Sequence, residues 1–159
     1  MALIVALLCF GSASRARLVA IWDLNDIYKK ADLVAIVGDA RSRGSHDELN
    51  DRWGRREGML TSVKILLVLK GEIKAERVTI FHYRAVAPGT LTNGPQLVEF
   101  EPDEPLGEKR QYLVFLTKGE GERYEPASGQ FDPVYSVRKL SKAVPTSTAT
   151  TQPAERASK

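Results

Sequence analysis

From residue 62 to 72 the chain reads SVKILLVLKGE, its most apolar run outside the N-terminus. Strand alternation puts Val63, Ile65, Leu67 and Leu69 on one face and Ser62, Lys64, Leu66, Val68 and Lys70 on the other. The middle is therefore apolar on both sides, and Thr61, Val63, Ile65 and Val68 are β-branched. Such a run, closed by Gly71, predicts a strand that bends within a curled sheet or small barrel. On this pattern Leu67 belongs to the inner face with Val63, Ile65 and Leu69, and Lys64 to a partly solvated one. Residues 76–84, ERVTIFHYR, give the clearest period of two: Val78, Ile80 and His82 alternate with Thr79, Phe81 and Tyr83.

Further strands are predicted at residues 33–38 (LVAIVG) and 110–118 (RQYLVFLTK), with a short one at 96–101 after a loop holding Pro88-Gly89 and Asn93-Gly94. The glycine-rich 119–122 is read as a turn. Its partner strand starts at Arg123 and Tyr124, breaks around 126–133 and resumes at 134–140. Residues 23–32 predict a short helix with Leu24, Ile27, Tyr28 and Ala31 on one stripe, Asp23 as cap, and Lys29 and Lys30 at its C-terminal end. Residues 39–58 are charge-dense and punctuated by Gly44, Gly54 and Gly58, and so read as a long loop. After Lys142 the chain is Thr, Ser, Ala and Pro with little to bury, which predicts a disordered tail over 143–159. Five or six strands with one helix make this an all-β fold of small α content, a closed five- to six-stranded barrel over residues 18–142.

The N-terminus, MALIVALLCFGSASRARL, changes the picture of where the chain acts. Its apolar run is far shorter than the roughly 20 residues that span a bilayer. Followed by small residues, it reads as a signal-peptide-like segment over 1–16, cleaved after Ala13 or Ala16. The expected mature protein is extracytoplasmic, secreted or periplasmic, with no stable membrane span. Cys9 is the single cysteine, so the processed chain has no thiol for a disulfide or a metal. Charge adds little. The formal net is +3, but residues 138–159 hold five Lys or Arg against one Glu, a net of +4 that leaves residues 1–137 at −1. A basic tail, not a basic face, sets the sign.

Candidate chemistry is sparse. Ser45, His46 and Asp47 adjoin in sequence, whereas a nucleophile, base and orienter must converge in space, so no catalytic residue is assigned. His46 and His82 are the two histidines, and nothing in the spacing supplies a third ligand, so no metal site and no cofactor are expected. Glu99, Glu101, Asp103, Glu104 and Glu108 lack any calcium-loop spacing and read as a solvated loop. The sequence RWGRRE is more informative. Trp53 stands among Arg52, Arg55 and Arg56, which makes these four residues the candidate partner-contact loop. The five arginines of that loop (41, 43, 52, 55, 56) meet Asp39, Asp47, Glu48, Asp51 and Glu57, and the strands lack interleaved basic and aromatic residues. That composition favours a protein partner over nucleic acid.

The order YKKADLVAIVG, SVKILLVLKGE, RVTIFHY and QYLVFLTKGEGERYE resembles the netrin-like module, whose best-known members are the tissue inhibitors of metalloproteinases. The resemblance is carried by Ala31-Asp32-Leu33-Val34, Val68-Leu69-Lys70-Gly71, Val78-Thr79-Ile80 and Tyr112-Leu113-Val114 and covers most of residues 21–140. It implies a barrel of the oligonucleotide/oligosaccharide-binding (OB-like) type. Family inhibitors chelate a protease zinc through an N-terminal cysteine held by disulfides. This chain has no counterpart of either, so no family functional residue is carried over and a cysteine-free bacterial exported relative is implied. The expected function is a non-enzymatic, exported protein-interaction module. Inhibition of an extracellular hydrolase by loop insertion is the alternative, and a nucleic-acid-binding barrel is a second one.

Overall fold

The computed structural model describes residues 22–51, 53–86, 96–101, 103, 109–131 and 133–141. The signal-like segment over 1–16, the tail over 143–159, the Pro88-Gly89 and Asn93-Gly94 loop and Arg52 lie outside the described residues. Helix α1 (Leu24–Lys30) is followed by strands β1 (Leu33–Asp51), β2 (Gly54–Lys70), β3 (Arg77–Ala85), β4 (Gln111–Lys118) and β5 (Arg123–Pro126). A 3-10 turn (Pro133–Tyr135) and strand β6 (Val137–Lys139) complete the order. Among the described residues the fold is mostly strand with one short helix. The sheet runs β1-β2-β3-β5-β4-β6, and pairing of β1 with β4 closes five of these strands into a ring. All pairs are antiparallel except β3 with β5.

The ring encloses Leu33, Ala35, Val37, Val63, Val78, Ile80, Tyr112, Val114 and Leu116, all buried. On the outside, α1 lays Ile27 and Ala31 over Val34 and Phe115 to form a second cluster. The helix begins as its sequence predicts. Asp23 caps it by accepting from the Asn25 amide at 2.7 Å, and Lys29 and Lys30 stand in the last turn. Its C-terminal carbonyls are collected by Lys70, whose Nζ donates to Tyr28 O at 2.6 Å, Lys29 O at 3.1 Å and Ala31 O at 2.6 Å. Three of the groups a helix end leaves unpaired are satisfied by one side chain.

Two expectations are corrected. Residues 39–58 are not a loop. β1 runs on to Asp51 and β2 starts at Gly54, so the two continue as a hairpin arm beyond the ring, with β3 paired alongside to Ala85. Charge density misled because the β1 half of the arm is largely solvent-exposed, at Arg41, Ser42, Arg43, Gly44, His46, Asp47, Glu48 and Asn50. With few apolar positions there is little alternation to see.

The second correction concerns Leu67, which is 46% exposed and not inside. Ile65 opposes Val37 and Leu67 opposes the adjacent β1 residue, Ile36, so a β-bulge inserts Leu66 and reverses the facing of the residues beyond it. A second bulge at Leu69 sets Lys70 opposite Val34, on the outer face where α1 lies. The bulges thus expose Leu67 and Leu69 and aim Lys70 at the helix.

Elsewhere the differences are smaller. Residues 96–101 form no strand, yet Val98 and Phe100 are buried in the inner core, and the Glu101 amide donates to the Tyr112 hydroxyl at 3.0 Å. Of the strand predicted at 134–140, the first residues form the 3-10 turn and the strand is confined to β6.

Candidate functional site

The arm leaves the ring at Asp39, whose backbone takes φ +45° beside a register shift between Gly38 and Arg41. Asp tolerates this left-handed conformation better than most residues, and the bend is clamped. Arg77 donates from Nη1 to Asp39 Oδ2 and from Nη2 to Asp39 O, both at 2.6 Å, while its Nε reaches Ser62 Oγ at 3.0 Å. Hydrogen bonds from Arg41 and Arg77 hold the Asp39 carboxyl below its ordinary range. The arm therefore leaves the ring in a fixed direction.

Its inner face continues the core through a polar relay. Ser42 Oγ and Thr61 Oγ1 stand 2.8 Å apart, and Thr61 Oγ1 is 2.8 Å from His82 Nε2. His82 is buried, tilted against Phe100 at 5.2 Å between ring centroids. Burial pushes the imidazole down from 6.5 to about 4, so it is neutral at pH 7. Against the outer face lies the chain around β5. Arg123 sits over the Phe81 ring at 4.2 Å, Phe81 meets Tyr83 edge-on at 5.2 Å, and Gln130 Nε2 donates to Phe81 O at 3.0 Å. Ser45 and Asp47, part of a wider bulge in β1, pack over Gly58, and Asp47 lies 3.7 Å from Arg123.

At the hairpin end stand the candidate contact residues. Trp53 turns the corner, its amide donating to Asp51 Oδ1 at 3.0 Å, and its ring meets Phe131 edge-on at 4.6 Å. Phe131 is 38% exposed. Arg55 is exposed and donates to Glu48 Oε1 at 2.6 Å across the hairpin, an interaction that raises its already high pKa. Arg56 behaves otherwise. It is 1% exposed, ion-paired with Asp51, and its guanidinium lies 6.0 Å from the Tyr83 ring centroid.

Of the predicted group the structure thus brings Trp53, Arg55 and Arg56 to one tip and buries Arg56 as an internal support. Arg52 lies outside the described residues. Phe131 completes the tip but comes from a segment that reads as an interruption between strands, brought there by the β3–β5 pairing and the Gln130–Phe81 bond.

The histidines are differently placed, His46 exposed on the bulge and His82 in the interior. Among the described residues no group of three or more His, Cys, Asp or Glu could hold a metal, and no helix is long and apolar enough to cross a membrane. Of the acidic stretch, Glu101 pairs with Lys139 at 3.0 Å and with Arg110, and Asp103 accepts from the Arg110 amide at 2.9 Å. No family model, curated protein or solved structure matches this chain.

Proposed function

We propose that this protein is a non-enzymatic, exported protein-interaction module, an OB-like barrel of the netrin-like kind whose contact surface is the arm tip. The observation that supports this reading is the aromatic pair Trp53–Phe131 at the end of an arm whose direction is fixed by Arg77 and Asp39. A partner meets a preformed apolar edge, with Arg55 beside it, and little conformational freedom is lost on contact. Arg55 with Glu48, Arg56 with Asp51 and Arg84 with Glu57 are already ion-paired, which favours a protein over a polyanion.

The test is affinity capture from the native extracytoplasmic fraction with the wild-type chain and with Trp53→Ala/Phe131→Ala, followed by a binding titration with whatever is captured. A partner bound by the wild type and lost from the variant is expected. Equal capture by both places the contact elsewhere, and capture of single-stranded nucleic acid with a steep salt dependence replaces this reading with the nucleic-acid one. The projecting hairpin also suits insertion into the cleft of a hydrolase. If the captured partner is a hydrolase, its activity should fall on adding the wild-type chain and not on adding the variant.

A further inference from the structure

Of the seven large apolar side chains exposed among the described residues, five lie on α1 and the end of β2: Leu24, Tyr28, Leu67, Val68 and Leu69. Lys70 joins the two groups. Its ammonium caps α1 and lies 5.0 Å from the Tyr28 ring centroid, so Tyr28 is on the flank of α1 toward β2. Leu24, one turn earlier, shares that flank, while Ile27 and Ala31 pack beneath the helix on Val34 and Phe115. Across from it, Leu67 stands on the outer face opposite Ile36, and Leu69 precedes Lys70 in the second bulge. The chain's own return through residues 71–76 runs beside the end of β2, so what stays open here is side chain and not backbone. With Lys70 committed to the α1 carbonyls, an apolar groove remains between helix and strand. Contiguous apolar patches beyond a few hundred Å² are rare on soluble monomers and mark contact sites.

We propose that this groove is a two-fold contact between copies of this chain, in which α1 of each copy lies antiparallel against α1 of the other. The flank is its own complement. A two-fold axis midway between positions 24 and 28 sets Leu24 opposite the second copy's Tyr28 on both sides, with Leu67 and Leu69 as the outer walls. The charges agree. α1 carries Asp23 and Asp26 at its N-terminal end and Lys29 and Lys30 in its last turn. Antiparallel pairing sets each acidic end beside the other copy's basic end, whereas parallel pairing sets like beside like. The chain's own termini fit the groove less well. Trp22, where the N-terminal residues join, packs on the other flank of α1, against Lys30 and beside Leu113 and Tyr135. The tail over 143–159 offers Val144 as its one strongly aliphatic side chain. The groove lies on the ring and not at the arm tip, so the proposal is independent of the partner reading above, and two arms remain free in the dimer.

Sedimentation over a wide concentration range tests it, with the chain purified as the producing cell processes it. The wild type should show a concentration-dependent monomer–dimer equilibrium. Leu24→Lys/Tyr28→Lys should weaken the dimer by at least about tenfold in dissociation constant, and Leu67→Lys, on the facing wall, should weaken it in the same direction. Val86→Lys places the same charge on an equally exposed apolar residue at the end of β3, away from the groove, and should leave the dimer intact. All four side chains are exposed, so circular dichroism should show native folding in each variant. A wild type that stays monomeric throughout overturns the proposal and leaves the groove to a cover from the same chain. A dimer that survives Leu24→Lys/Tyr28→Lys, or that Val86→Lys disrupts equally, overturns it as well and places the contact elsewhere.

Discussion

Two glycines of the arm, Gly44 and Gly58, look alike in sequence but stand in different surroundings. A Cβ on Gly44 would meet nothing within 4 Å, whereas one on Gly58 would fall 2.3 Å from Ser45 Oγ, 2.8 Å from Phe81 Cε2 and 2.9 Å from Asp47 Cβ. Gly58 is therefore the floor over which the β1 bulge packs, and a methyl group there must push bulge and ring apart. Gly58→Ala should destabilise by about 1–3 kcal/mol, the usual range for overpacking. Gly44→Ala should change stability by no more than about 0.5 kcal/mol. Urea titration of both measures this, and an equal effect would mean that the bulge does not rest on Gly58. Arg56 teaches the same lesson in reverse: its residue type points to the surface, and only the Asp51 partner and the Tyr83 ring make burial tolerable.

At the scale of elements, what could be read from sequence was set by burial. The strands whose alternate residues line the ring, β3 and β4, lie within a residue of their predicted ranges, and α1 starts at its predicted cap. The arm could not be read because strand alternation needs a buried face, and most of its β1 half has none. The site suffered accordingly. Trp53, Arg55 and Arg56 were visible as a cluster, whereas Phe131 joins them through a long-range pairing that no local pattern encodes. The facing of β2 failed for a third reason, since a bulge adds one residue without changing composition and reverses the parity of the residues up to the next bulge. Leu116, fully buried, and Leu67, half exposed, should therefore differ in their response to truncation. Leu116→Ala should cost about 2–5 kcal/mol and Leu67→Ala about 0.5 kcal/mol. Denaturant midpoints of the monomer, taken at low protein concentration, test this, and a large loss from Leu67→Ala would restore the unbulged register.

For the whole molecule, ring and arm share a buried imidazole where they join, and acid should reveal it. His82 is buried where the arm joins the ring, bonded to Thr61 and packed on Phe100. Burial, and to a smaller degree the charge of Arg84, lower its pKa from 6.5 to about 4, a hydrogen bond to the Tyr83 backbone acting in the opposite sense. Between those two values the unfolded chain binds a proton that the folded chain refuses. Stability is thus fully present above about pH 6.5, falls as the pH drops toward 4, and levels off below it. At about 1.4 kcal/mol for each pH unit, the loss reaches an upper limit of about 3 kcal/mol. The exposed carboxyls act in another window. Asp39, Glu76 and Glu101 are lowered from their ordinary values chiefly by hydrogen bonds from Arg41, Lys64 and Lys139, so their contribution persists above those values and disappears only as the pH falls through the lowered ones. Salt should shrink the carboxylate limb, which depends on exposed ion pairs, and leave the histidine limb nearly unchanged. Urea titrations at pH 7, 5.5, 4.5 and about 3, at low and high salt, separate the two. In His82→Gln the decline between pH 6.5 and 4 should vanish while the more acidic limb remains. A decline that persists in that variant would mean that another buried group governs how ring and arm respond to acid.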